Sequence, residues 1–174
     1  MAKYYAVISC DHGLGHIRRS LLVSQNLAKK GNDVSLFAPE SSVRKLSGMY
    51  ASVSTVEVND FNTLTSLENL EKQLDLSTNW LKRLPNLSRY DYVVCDNLPE
   101  ILLEREDAIL SANFWWHEIS ATINKDYVSL CEGLLSSYCP VIYGCELFAM
   151  PSIRNAENFR PVGLYEIPQL RERA

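Results

Sequence analysis

Short apolar runs alternate with helix-patterned stretches along the whole chain, and this alternation constrains the fold more than any other feature. Tyr4–Ser9 is apolar and stops at a turn, as a strand buried on both faces does. His16–Lys30 then places Ile17, Leu21, Ser24 and Ala28 on one helical face, with Gly31 as its stop. Asp33–Ala38 reads as a second strand ended by Pro39, Ser41–Gly48 as a short helix, and Val53–Val58 as a third strand. Thr65 and Glu68 have capping-box spacing, and Leu67, Leu70, Leu74, Leu81 and Leu84 recur at helical intervals up to Pro85. They predict a long helix lying on a sheet; the same leucines also fit a coiled coil of few heptads. Asp91–Cys95, Ala108–Ala112, Val141–Cys145 and Arg160–Leu164 read as further strands, with a helix over Ile123–Tyr138. The order implies an α/β, Rossmann-like, doubly wound and mostly parallel sheet of six to seven strands with helices on both faces. Residues 1–165 form one such domain, and 166–174 read as a linker or tail.

Composition bounds the classes of function. The chain has 174 residues, enough for one cored domain, with 47% hydrophobic and 22% charged residues. A net charge of −4 gives no basic excess, so no nucleic-acid partner is expected. The five cysteines, Cys10, Cys95, Cys131, Cys139 and Cys145, form no C-x-x-C pair and predict free thiols in a reducing compartment. The first apolar run is too short for a signal peptide, and none approaches the roughly 18 residues of a spanning helix. A cytoplasmic protein is therefore expected, with peripheral contact to a membrane surface left open.

In an open parallel sheet, ligands bind beyond the carboxyl ends of the strands, where the strand order reverses. That rule collects Asp11, His12, Gly13, Gly15 and His16 after the first strand and Asp96, Asn97 and Glu100 after the fourth. It adds Asn113, Trp115, Trp116, His117 and Glu118 after the fifth, and Glu146 after the sixth. The densest segment is Asp11–Arg19, D-H-G-L-G-H-I-R-R. Gly13 and Gly15 permit a tight bend, and the following helix start offers unpaired N–H groups to an anion. A neutral His16 at that start can accept a proton from a hydroxyl. One of Arg18 and Arg19 is placed to reach an anionic ligand; Arg19 is the candidate. Asp96 and Asn97 are candidates to hydrogen-bond a sugar, or turn residues, and Asp11 reads as a structural turn acid. Adjacent tryptophans cannot share one side of a strand, so one of Trp115 and Trp116 leaves the core or lines the cleft; Trp116, His117 and Glu146 complete the candidate binding set. A dinucleotide site would want a third glycine where Arg18 stands, which argues against that reading. No metal-ligand pattern is present.

Gly13-Leu14-Gly15-His16 with Arg19 resembles the G-x-G-H-x-x-R turn in the N-terminal domain of GT-B glycosyltransferases and their nucleotide-sugar-hydrolase relatives. Leu27–Phe37 is similar to their helix, glycine stop and second strand, and Phe159–Tyr165 to the segment leading into their interdomain linker. The resemblance implies an acceptor-side half, with the nucleotide-sugar donor bound as substrate mainly by a second domain or subunit. It implies His16 as general base, toward a sugar or lipid-linked acceptor or toward water in a hydrolase. Gly13 and Gly15 would lie near the donor phosphates, with no metal and no further cofactor. On this view the 174 residues alone turn over no sugar nucleotide. A non-catalytic, partner-binding domain and a dinucleotide module stay open beside it.

Overall fold

Strand β1 (Tyr4–Ile8) is where the chain's hydrophobic pattern does most to position the rest, because Ala6, Val7 and Ile8 are all buried. Side chains alternate along a strand, so β1 feeds two separate cores. Ala6 and Ile8 enter one, and Val7 the other. The computed structural model describes residues 1–47, 56–63, 78–119 and 125–163.

Helix α1 (Leu14–Lys29), β2 (Asp33–Ala38) and α2 (Glu40–Ser47) follow β1. Next come β3 (Glu57–Asp60), 3₁₀ turns at Thr78–Arg83 and Leu87–Arg89, and β4 (Tyr92–Asp96). A 3₁₀ turn at Pro99–Leu103, β5 (Ile109–Ser111), α3 (Trp116–Ile119) and α4 (Lys125–Tyr138) lead to β6 (Ile142–Cys145), α5 (Pro151–Arg154) and β7 (Phe159–Val162). The described strands form one sheet in the order β3-β2-β1-β4-β5-β6-β7. Every neighbouring pair is parallel, and β1 pairs with both β2 (Tyr5 opposite Val34) and β4 (Tyr5 opposite Tyr92). The architecture is therefore α/β and Rossmann-like, and the strand order reverses between β1 and β4.

On one face, Ile17 and Leu21 of α1 and Val43 and Leu46 of α2 pack on Val7, Val34 and Leu36. On the other, Trp80, Leu81, Ile101, Leu102, Tyr127, Cys131 and Leu134 pack on Ile8, Val93, Cys95, Leu110 and Ile142. From β4 onward the α1 face of the sheet carries Tyr92 and Tyr143, both about two-fifths exposed (41% each).

Most expected elements stand within two residues of their places. The third strand is shifted toward the C-terminus of the expected 53–58, and 53–55 lie outside the described residues. Most of the leucine-patterned helix after Thr65 also lies outside them; its last part, Thr78–Arg83, is a 3₁₀ turn. There Trp80 and Leu81 turn inward together, and Pro85 forbids continuation. The tail 166–174 lies outside the described residues as well.

Candidate functional site

The turn after β1 is built by glycine and by a cross-link to the chain beyond β3. Gly13 has φ 98°, a conformation that a side chain would strain, and its N–H bonds Asp11 O at 2.9 Å. The Asp11 N–H donates to Thr63 Oγ1 (3.1 Å), and the Thr63 hydroxyl donates to Asp11 Oδ1 (2.9 Å). Asp11 thus ties the turn to the chain just past β3, the structural role expected for it. Gly13 caps α1 without a side-chain partner, and a methyl group on Gly15 would meet open space.

This bend turns His16 inward, toward the end of β4. Its Nδ1 lies 2.6 Å from Asp96 Oδ2, and both side chains are nearly buried. Arg19, three residues along the same helix, closes the group. Its Nε donates to Asp96 Oδ1 at 2.7 Å, its Nη2 lies 2.5 Å from the same oxygen, and Nη2 stands 3.2 Å from His16 Nδ1. An arginine only donates, and a carboxylate only accepts. At 2.6 Å the shorter contact decides the tautomer. In a neutral ring Nδ1 then carries the hydrogen and donates it in a hydrogen bond to Asp96, and Nε2 keeps the lone pair. Among the described residues Nε2 has no hydrogen-bond partner. The carboxylate of Asp96 therefore serves His16 and Arg19, and Arg19 is turned onto Asp96.

Aromatic rings enclose the imidazole. Phe114 stands edge-on to His16 at 5.8 Å and Trp116 is tilted against it at 5.8 Å, while His12 is edge-on to Trp116 at 4.5 Å. Burial, then the charge of His16, pushes the His12 imidazole below its ordinary value. Asn97 locks this wall. It is almost fully buried in the left-handed region, with φ 62°, and its N–H bonds Ser111 O at 2.9 Å. With its amide oriented to satisfy both neighbours, Oδ1 accepts from Trp116 Nε1 at 3.1 Å and Nδ2 donates to Phe114 O. The structure thus brings Gly13, Gly15, His16, Arg19, Asp96, Asn97 and Trp116 together.

Three candidates lie elsewhere. His117 stacks on Trp115 at 6.2 Å and 11°, not on His16 or the rings that flank it. It is buried, its Nδ1 has no partner among the described residues, and desolvation lowers its pKa against the pull of Glu118 and Glu132. Glu146 is exposed beyond β6, outside the lining of the neighbouring cavity. Glu100 leaves the rim altogether. It is 1% exposed and accepts from Trp80 Nε1 (2.9 Å) and Tyr127 Oη (2.8 Å), and burial raises its pKa. The cause is the 3₁₀ turn at Pro99–Leu103, which drives the chain back into the core.

A cavity of about 400 Å³ opens beside α1, at the carboxyl ends of β5, β6 and β7. Arg18, Arg19, Leu22, Asn113, Tyr143 and Phe148 contribute to its lining. Leu22, Tyr143 and Phe148 carried no sequence signal, since only the strand order sets them opposite α1. Gly144 in the same wall is packed so tightly that a Cβ would fall 2.3 Å from Ala112 O. Among the described residues no three His, Cys, Asp or Glu side chains converge as a metal-binding group, and no helix is long and apolar enough to cross a membrane.

No family model and no curated protein matches this sequence. Solved structures do. The chain is similar to the calicheamicin glycosyltransferase CalG4, at 17% identity and a TM-score of 0.55, over 97% of this chain and 53% of that one. It is similar to Arabidopsis thaliana UGT89C1 complexed with UDP, at 14% identity and a TM-score of 0.58, over 99% of this chain and 55% of that one. LpCGTa in complex with UDP matches at 13% identity and a TM-score of 0.58, over 96% of this chain and 54% of that one. The chain thus spans about half the length of the structures it matches, and what they share with it is a GT-B glycosyltransferase-like fold.

Proposed function

We propose that this chain is the acceptor-side half of a nucleotide-sugar-dependent glycosyltransferase, with His16 as the general base. The observation that carries the reading is the His16–Asp96 contact at 2.6 Å, placed where the strand order reverses. A base must be held in one tautomer and one orientation, and a buried carboxylate on Nδ1 does both. The likeness of fold to glycosyltransferases supports the choice of reaction.

In this mechanism an acceptor hydroxyl sits on Nε2. The imidazole takes its proton as the oxygen bonds the anomeric carbon of the donor. The bond from that carbon to the phosphate oxygen breaks, and the nucleoside diphosphate leaves with the electron pair. Asp96 stabilises the imidazolium that forms. The N–H groups at the start of α1, beside Gly13 and Gly15, face the leaving charge. No metal or further cofactor is required. A second half of the molecule supplies most of the donor site, and the acceptor is a sugar or a lipid-linked hydroxyl compound.

The test is transfer from a sugar nucleotide in the two-half enzyme, read by product analysis. His16→Ala is expected to lower kcat by roughly 10²–10⁴-fold while the donor still binds. Undiminished kcat in that variant sinks the assignment, as does turnover by the 174 residues with no second half.

A further inference from the structure

The handedness of the chain leaves one part of the sheet without a cover. Crossovers between parallel strands are right-handed. From β1 out to β3 they place α1 and α2 on one face. The order reverses at β4, so the crossovers from there to β7 run the other way across the sheet and fall on the opposite face. The packing agrees. Ile101 and Leu102 of the Pro99–Leu103 turn, Tyr127 and Leu134 of α4 and Ile153 of α5 all lie there, as do Trp80 and Leu81 between β3 and β4. No connection wound in this sense lies over the α1 side of β4–β7.

The register picks out that surface. Tyr92, Val94, Ile109, Tyr143 and Val162 all stand on the α1 side. Each is half-buried or exposed, whereas Val93, Cys95, Leu110 and Ile142, which point the other way from the same sheet, are buried. Strands of a parallel sheet are covered on both faces, and an apolar patch left open marks a contact surface. Three strand spacings of about 4.8 Å make a strip about 14 Å wide, room for one helix of about 10–12 Å beside α1. At its carboxyl end, Tyr143, Cys145 and Val162 line the cavity of about 400 Å³ together with Arg19 and Leu22. Whatever covers the strip therefore also reaches the helix that carries His16.

We propose that the α1 side of β4–β7 is the surface on which the second half of the molecule docks, through one amphipathic helix laid beside α1 with its aliphatic stripe on these five side chains. The inference rests on reading the chain as one half of a two-half enzyme. The chain spans about half the length of the structures it resembles, and the handedness leaves this strip to a helix from outside the β1–β7 winding.

Cys145 reports on the strip from within, and Cys139, exposed just before β6, serves as the control. The test compares thiol labelling of the 174-residue chain with that of the two-half enzyme. The chain alone is expected to sediment as a monomer with both thiols reactive. In the two-half enzyme Cys145 is expected to slow by roughly ten-fold or more, with Cys139 unchanged. Tyr92→Lys and Tyr143→Lys, at side chains already exposed, should each return Cys145 in the two-half enzyme to the rate of the same variant's 174-residue chain; Tyr143→Phe should keep the protection. A thermal melt of each variant chain checks that it folds. Equal Cys145 rates in the chain and the two-half enzyme overturn the proposal, as does protection that survives both lysine variants. Protection already present in the monomer shows that the chain covers its own strip, and a dimer of the chain that Tyr143→Lys dissolves shows that a second copy does; either overturns it. None of these readings needs turnover. If the protection behaves as expected and no transfer is found, the function fails and the surface stands; transfer with Cys145 unprotected gives the reverse.

Discussion

Asp96 and Asn97 are adjacent residues at one strand end, with their side chains directed to different tasks. Asp96 orients His16, and Asn97 fastens the Phe114–Trp116 wall that flanks it. The division depends on the backbone of Asn97, whose φ of 62° turns the chain sharply after β4. Asparagine is one of the few residues with a side chain that visit that region readily. Two substitutions separate the parts. Asn97→Gly keeps the backbone and loses both amide bonds, and is expected to cost about 1–3 kcal/mol in urea unfolding. Asn97→Ala loses the bonds and adds roughly 1–2 kcal/mol of left-handed strain. Equal stability of the two variants would show that the turn carries no strain.

At the scale of elements, the buried carboxyl of Glu100 joins three pieces of the non-α1 face. It sits on the Pro99–Leu103 turn and receives Trp80 from the Thr78–Arg83 turn and Tyr127 from α4. Burial raises its pKa, with the two hydrogen bonds pulling the other way. The sign of the linkage follows. The folded chain binds this proton more tightly than the unfolded chain, so the contribution is fully favourable below about 4.3 and is lost as pH rises through the folded value. A Glu100→Gln amide can accept from Trp80 and donate to the Tyr127 hydroxyl. The variant should therefore match the wild type in acid and gain on it as pH rises toward 8 in denaturant unfolding. Parallel stability curves over that range would sink the prediction.

At the scale of the molecule, the thiols differ by depth rather than by face of the sheet. Cys10, Cys95 and Cys131 are buried, and desolvation raises all three, Cys131 to about 12. Cys139 is exposed and Cys145 half-buried at the cavity wall. With a thiol reagent under native conditions, Cys139 and Cys145 are expected to react first, and the other three only on unfolding; rapid labelling of Cys95 would contradict this packing.

The parallel sheet was legible because strands buried on both faces read as apolar runs, and because intervening helices force parallel crossovers. Gly13, Gly15 and His16 were legible because a bend of that shape needs glycine and a helix start follows it. The partner of His16 was not. Asp96 lies 80 positions away in sequence, and only the pairing of β1 with β4 brings it to the imidazole. Arg19 read as a ligand-binding cation, since nothing local announces that a buried carboxylate will take its charge. Glu100 and His117 read as rim residues for the same reason. Which way a side chain turns after a strand ends is settled by the turn it enters and by what is already packed there. Local pattern therefore determined the layers and the bend, whereas the group of His16, Asp96 and Arg19, built from contacts distant in sequence, was decided by tertiary packing alone.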